Sequence, residues 1–240
     1  MPLPLLAAHI SDGVLQPIPQ IVGIAVAVAL LAFALRKLRD DQIPRVILCT
    51  AVFFIASLIH IRIGPTSAHL LLNGLIGILL GYLAIIPIAV GLFMQAVLFG
   101  HGGFLVWGMN CCIFTLPALI APYLFSRLQN ADDYGGPVSL PFTLALGALL
   151  QPILTLPIWL VTQMARLQLS RKSFFPAAFL CGFTTVMLTV FLNGFVLVAF
   201  GNADWRWIAA IVVAGHLPLA FVEGIIAGFA CEAMLKNKRP

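Results

Sequence analysis

The chain has 240 residues, 62% of them hydrophobic and 9% charged, with a mean hydropathy of +1.09, whereas soluble domains run at about 25% charged and about 45–50% apolar. That composition excludes a water-soluble globular domain and specifies an integral membrane protein. The formal net charge of +5 would point to nucleic acid in a soluble chain; here Lys and Arg gather beside hydrophobic runs, where they act as topology signals, so no nucleic-acid partner is expected.

The chain opens on MPLPLLAAHISDGVL. The lead before Ala8 lacks a charged n-region and is shorter than a signal peptide with its apolar core of about 7–15 residues. Two states follow: a longer leader is cut after Ala7, or the lead is retained. Between Asp12 and Arg36 lie 23 residues without a formal charge, enough for one helix across a core that needs about 20. Arg45 and Arg62 enclose 16 more, a tight span if Arg62 snorkels to the interface. Residues 63–126 form an uncharged run of 64, roughly 96 Å of helix and hence about three crossings, with breaks expected at Pro65, between Tyr82 and Pro87, and at GHGG (residues 100–103).

Further runs of 32 and 31 residues lie between Asp133 and Arg166 and between Lys172 and Asp204, and a last helix is expected from about Arg206 to Lys236. The richest basic clusters, RKLRDDQIPR, RLQLSRK and KNKRP, belong in the cytoplasm by the positive-inside bias, which puts the N-terminus outside and the C-terminus inside. The expected architecture is an all-α polytopic bundle, a single membrane domain of about seven helices. Residues 138–165, which would start and end on the same side and carry Pro141, Pro152 and Pro157, form an irregular extra segment that spans, re-enters or lies at the interface; alternatively Arg127 is external and the count is off by one.

Polar groups inside a bilayer cost several kcal/mol unless paired or facing a cavity, so the few present are the functional candidates. The five cysteines (Cys49, Cys111, Cys112, Cys181, Cys231) sit in apolar runs without CxxC spacing and read as small buried hydrophobes. No GxxxxGK[ST] loop, HExxH helix or GxSxG elbow occurs, so the chain does not hydrolyse ATP. The topology brings His9 and His69 to the same external side, with His69 expected to begin the third span. If the chain starts at Ala8, the α-amine, the deprotonated amide nitrogen of His9 and its Nδ1 form one chelate in a plane, the donor set that favours Ni(II) or Cu(II), with Co(II) possible. One more imidazole would close the square. Asp12 and Gly13 make the turn that leads this segment in, and Asp12 can orient a ligand ring from behind.

His101 and Asn110 flank a glycine-rich loop expected on the same side, where they can support the bound segment. His216 and Glu223 are seven residues apart on the last helix and share a face, so they are expected to pair within the membrane. Gly74, Gly77 and Gly81, and Ala25, Ala29 and Ala32, make small-residue faces suited to close helix packing, inside the bundle or against a partner.

The stretches HISDGVL, IPRV, ASLIHIRIGPTSAHLLLNGLIGILLG, QAVLFGHGGFLVWGMN and GHLPLAFVEGIIAGF together resemble the CbiM/NikM family, the substrate-capture membrane components of energy-coupling-factor transporters for cobalt and nickel. The resemblance covers most of the chain, though RLQNADDYGGPVS and the segment after it depart from the pattern. It implies a prokaryotic inner-membrane protein whose substrate, cobalt or nickel, is held by the N-terminal amine, the amide and ring of the second residue and a later histidine, which fall here on Ala8, His9 and His69. It also implies partners: a transmembrane coupling subunit, cytoplasmic ATPase subunits and a small accessory membrane subunit. Family members carry Met-His at the mature terminus, where this chain has Ala8-His9 behind seven residues. Two other functions fit the residues: a proton-coupled carrier or channel with a His216, Glu223 and His101 relay, and an intramembrane metalloenzyme, for which ligands beyond Asp12 are lacking.

Overall fold

A computed structural model of the chain describes residues 9–63, 66–129 and 173–235. After a strap of extended chain at residues 9–16, helix α1 spans Pro17–Lys37, with prolines in its first turn, where no helical N–H is lost, and Arg36 and Lys37 in its last. A single 3-10 turn, Asp40–Gln42, leads to α2, Ile43–Ser57. Strands β1, His60–Ile63, and β2, Thr66–His69, form an antiparallel hairpin in which His60 stands opposite His69. Helix α3, Asn73–Leu80, runs through a 3-10 turn at Gly81–Ala84 into α4, Ile85–Phe99. Helices α5, Trp107–Gln129, α6, Phe175–Phe200, and α7, Arg206–Leu235, complete the bundle.

Among the described residues five helices are long and apolar enough to cross a membrane, with Asn73–Phe99 taken as one. The all-helical membrane bundle expected from composition is therefore present. His69, however, ends β2 and does not begin a helix: residues 60–69 pair as a hairpin, and helix starts only at Asn73. The irregular segment expected at residues 138–165 lies outside the described residues.

Cross-contacts define two poles. At one, Leu15 bridges Gly201, Gln16 N–H donates to the Phe200 carbonyl at 3.0 Å and Asn202 N–H to the Val14 carbonyl at 2.9 Å. At the other, the Tyr82 hydroxyl donates to the carbonyl of Lys37 at 3.4 Å, and Gln129 donates to the Ser173 carbonyl at 3.0 Å. Glu232 closes that basic pole, accepting from the Ser173 hydroxyl at 2.9 Å and the Phe174 N–H at 2.6 Å.

Small residues let the backbones approach. A Cβ on Gly77 would run into the Ala118 carbonyl of α5, and one on Gly108 into the backbone of Ile24 in α1. The positions α1 buries are Pro19, Gly23, Ala27 and Ala34, while Ala25 and Ala29 of the expected stripe face outward. Gly77→Val forces α3 off α5, and overpacking of this kind costs about 1–3 kcal/mol or more. The expected result is a clearly lowered melting temperature of the purified chain, read by intrinsic fluorescence; an unchanged transition would show that the α3–α5 contact is not tight.

Candidate metal centre

The strap is held at three places. Asn110 on α5 treats Ile10 as a neighbouring strand would: its Oδ1 accepts the Ile10 N–H at 3.0 Å and its Nδ2 donates to the Ile10 carbonyl at 2.9 Å. Asp12 then reaches the start of α5, where its carboxylate accepts the N–H groups of Phe104 at 3.0 Å, Leu105 at 3.0 Å and Val106 at 3.1 Å. These donors belong to the loop residues that lead into α5, and the carboxylate sits near the positive end of that helix. Gly13, at φ +82, makes the reversal that a side chain would strain, and Asn202 donates to its carbonyl. Gly103 has a parallel reason: a Cβ there would collide with the Asp12 carboxylate.

This clamp buries His9, 2% exposed, against His69, 4% exposed. Their ring centroids are 4.6 Å apart with planes 24° from parallel, and Phe114 lies beside both, its centroid 4.9 Å from that of His9 and 6.5 Å from that of His69. His69 Nδ1 lies 3.1 Å from the Leu70 carbonyl. Neither nitrogen of His9 has a hydrogen-bond partner among the described residues. Burial, and after it the neighbouring His69 and His101 imidazoles, hold the His9 pKa well below the ordinary histidine value, outweighing the side chain of Gln95 beside it. At neutral pH the ring is therefore uncharged and keeps a lone pair for a Lewis acid.

The residues singled out in the sequence divide as follows. His9, His69, Asp12 and Asn110 come together at one pole, with His101 exposed at the rim and near enough to oppose protonation of His9. Ala8 lies outside the described residues. His216 and Glu223 do not pair. Each finds a nearer partner: His216 Nδ1 sits 2.7 Å from the Val212 carbonyl one turn back on its own helix, and the Glu223 carboxylate accepts the main-chain N–H groups of Leu71 and Leu72. Sequence reasoning missed Gln95, 2% exposed; an amide in the middle of an apolar helix was the available signal. It also missed Asn202, whose role is set entirely by the approach of the strap.

No group of three or more His, Cys, Asp or Glu side chains at metal-ligand spacing exists among the described residues.

The fold and this pole define a polytopic helical membrane protein with a buried two-histidine centre closed by its own N-terminal strap. The described chain matches the solved structure of a transition metal transporter with a TM-score of 0.64 over 95% of this chain and 93% of the other, at 21% identity, a likeness of fold. A truncated transition metal transporter gives the same TM-score and covers 99% of that chain. A Haemophilus influenzae protein described as a metal transport protein is 43% identical over 122 residues, 50% of this chain and 59% of its own length. The fused nickel transport protein NikMN of Rhodobacter capsulatus is 38% identical over 109 residues, 43% of this chain and 31% of that protein. The matches thus span less than two thirds of either relative. Residues 9–240 match the family model for the cobalt uptake substrate-specific transmembrane region, CbiM. The chain belongs to this family, whose members are multi-pass membrane proteins of cobalt and nickel transport.

Proposed function

We propose that the chain is the substrate-capture component of an ATP-driven uptake transporter, and that it binds Co(II) or Ni(II) as cargo between the strap and the bundle. The observation that carries this is the buried contact of His9 and His69, with neither His9 nitrogen in a hydrogen bond of ordinary geometry among the described residues. As stacked, the rings face one another, and a shared ion needs one ring to turn edge-on, with the Gln95 side chain beside His9 the nearest polar group to yield. The remaining donors are main-chain nitrogens: the amide of His9 and, in a chain that starts at Ala8, the α-amine. Planar nitrogen donors of this kind suit Ni(II) and serve Co(II) as well.

The site pole lies on the outer face and the basic pole, with Arg36, Lys37 and Arg127, in the cytoplasm of a prokaryotic inner membrane. Tyr82 beside Lys37 supports a reversal at Gly81–Ala84, so that α3 and α4 are separate passes and the helices from α1 to α7 make seven. Energy then comes from a coupling membrane subunit and ATPase subunits, aided by a small accessory membrane subunit, since the chain has no phosphate loop. A self-contained proton relay through His216, Glu223 and His101 is disfavoured, because the first two are tied to main chain and not to each other.

The test is to titrate the purified chain with each ion and to assay it in liposomes, alone and with the coupling and ATPase subunits. The expected result is tight binding by the chain alone and uptake only with the partners and ATP. Gradient-driven flux without partners, or no binding, would overturn the reading.

A further inference from the structure

Glu223 is the buried carboxylate of α7, 2% exposed, and it is spent on the backbone of a segment 151 and 152 residues away. Its Oε1 accepts the N–H of Leu71 and its Oε2 that of Leu72, the latter at 2.7 Å. These two donors belong to the last two of the three residues, Leu70 to Leu72, that link His69 to α3. Neither hairpin nor helix offers them an acceptor, and in a bilayer an unsatisfied main-chain N–H costs several kcal/mol. The link is also bent against its preference. Leu72 holds φ +49 and ψ 12, the left-handed region, and it is the one non-glycine residue with positive φ among the described residues. A leucine does not rest there without outside support.

The support comes from a two-pronged acceptor whose two oxygens match the two adjacent N–H groups. Leu71, 0% exposed, and Leu72, 6% exposed, are walled in, so the grip does not yield to solvent. Only Leu70 stands between His69 and Leu71, whose Cα atoms are at most about 7 Å apart at full stretch. The direction in which β2 ends, and with it the aim of the His69 ring toward His9, is thus fixed from below by Glu223.

Resting on the metal-capture reading above, we propose that Glu223 is the positioning residue for His69: its carboxylate clamps the Leu71–Leu72 turn and so aims the His69 ring into the metal site. Supporting hydrogen bonds behind a metal ligand typically change affinity by about 10–100-fold when removed. Glu223→Gln keeps one acceptor oxygen but turns an NH2 group toward the other N–H, so it breaks half of the clamp and sets donor against donor. Glu223→Asp keeps the carboxyl group and lacks one methylene of reach, so it grips one N–H at most.

The experiment titrates the full purified chain with Ni(II) and with Co(II), and records the Co(II) d–d spectrum. The wild type, Glu223→Gln, Glu223→Asp and, as a control, Glu232→Gln are compared. Glu232 is the other carboxylate of α7 that caps main-chain N–H groups, but at the opposite pole. The expected result is a loss of about 10–100-fold for Glu223→Gln, a smaller loss for Glu223→Asp, an altered Co(II) spectrum in both, and wild-type affinity and spectrum for Glu232→Gln. A Glu223→Gln protein that binds with wild-type affinity and spectrum overturns the proposal, as does an equal loss in Glu232→Gln, which would mark a general effect on stability. Should Glu223→Gln fail to fold, Glu223→Asp decides by the same criteria; should that fail too, amide exchange in the wild type decides, with slower exchange at Leu71 and Leu72 on nickel loading expected and unchanged exchange overturning. A wild type that binds neither ion would instead bring down the metal-capture reading itself, so the two failures are distinct.

Discussion

Replacing His69 by alanine is expected to cost more in cobalt and nickel affinity than the roughly 100-fold lost when only a supporting hydrogen bond is removed. The ring is a direct donor in the proposed centre, and no third side chain of ligand type stands at spacing to replace it among the described residues. His9→Ala is expected to act as strongly, since it removes the partner that stacks on His69 at 4.6 Å. Because both rings serve one ion, the double variant is expected to be little worse than either single one, the non-additivity of residues in direct contact. Calorimetric titration of the three variants with each ion checks this. Wild-type affinity in both single variants would remove the metal centre from this pole.

The second large effect is expected at Asn110, which touches no metal. Its amide satisfies both main-chain groups of Ile10, at 3.0 and 2.9 Å, and Asn110→Ala leaves a buried N–H and a buried C=O without acceptor and donor. Each such orphan costs about 1–3 kcal/mol. The strap has the simplest escape, which is to lift and let water in, so the loss should fall on metal binding more than on the fold. A drop of about 10–100-fold in nickel affinity is expected, with the Ile10 amide exchanging faster by mass spectrometry. Asn110→Asp separates the two bonds: it keeps the acceptor for the Ile10 N–H but sets a charged oxygen against the Ile10 carbonyl, and should bind no better than the alanine variant. If either variant held nickel as tightly as the wild type, Asn110 would not be what seats the strap.

Much of this was legible in the chain because a bilayer leaves few options. Uncharged runs bounded by Arg and Lys located the helices, and the breaks foreseen between Tyr82 and Pro87 and at GHGG fall where the 3-10 turn and the α4–α5 loop stand. The rarity of polar residues in the apolar segments singled out His9, His69, Asp12 and Asn110, all of which meet. What stayed hidden was set by long-range approach. HIRI and TSAH are too short to be told from the end of one helix and the start of the next, yet they pair as strands with His60 opposite His69. Spacing on α7 correctly put His216 and Glu223 on one face, but periodicity says nothing of competing acceptors. The Val212 carbonyl and the N–H groups of Leu71 and Leu72 were invisible to it.

The strap is fastened by hydrogen bonds, by one β-bridge at its far end, from Leu15 to Gly201, and by the buried side chains of Ile10, Val14 and Leu15, and not by interlocking helices. On the metal-capture proposal, lifting this short ribbon is the way out for the cargo, so its few contacts set the speed of release.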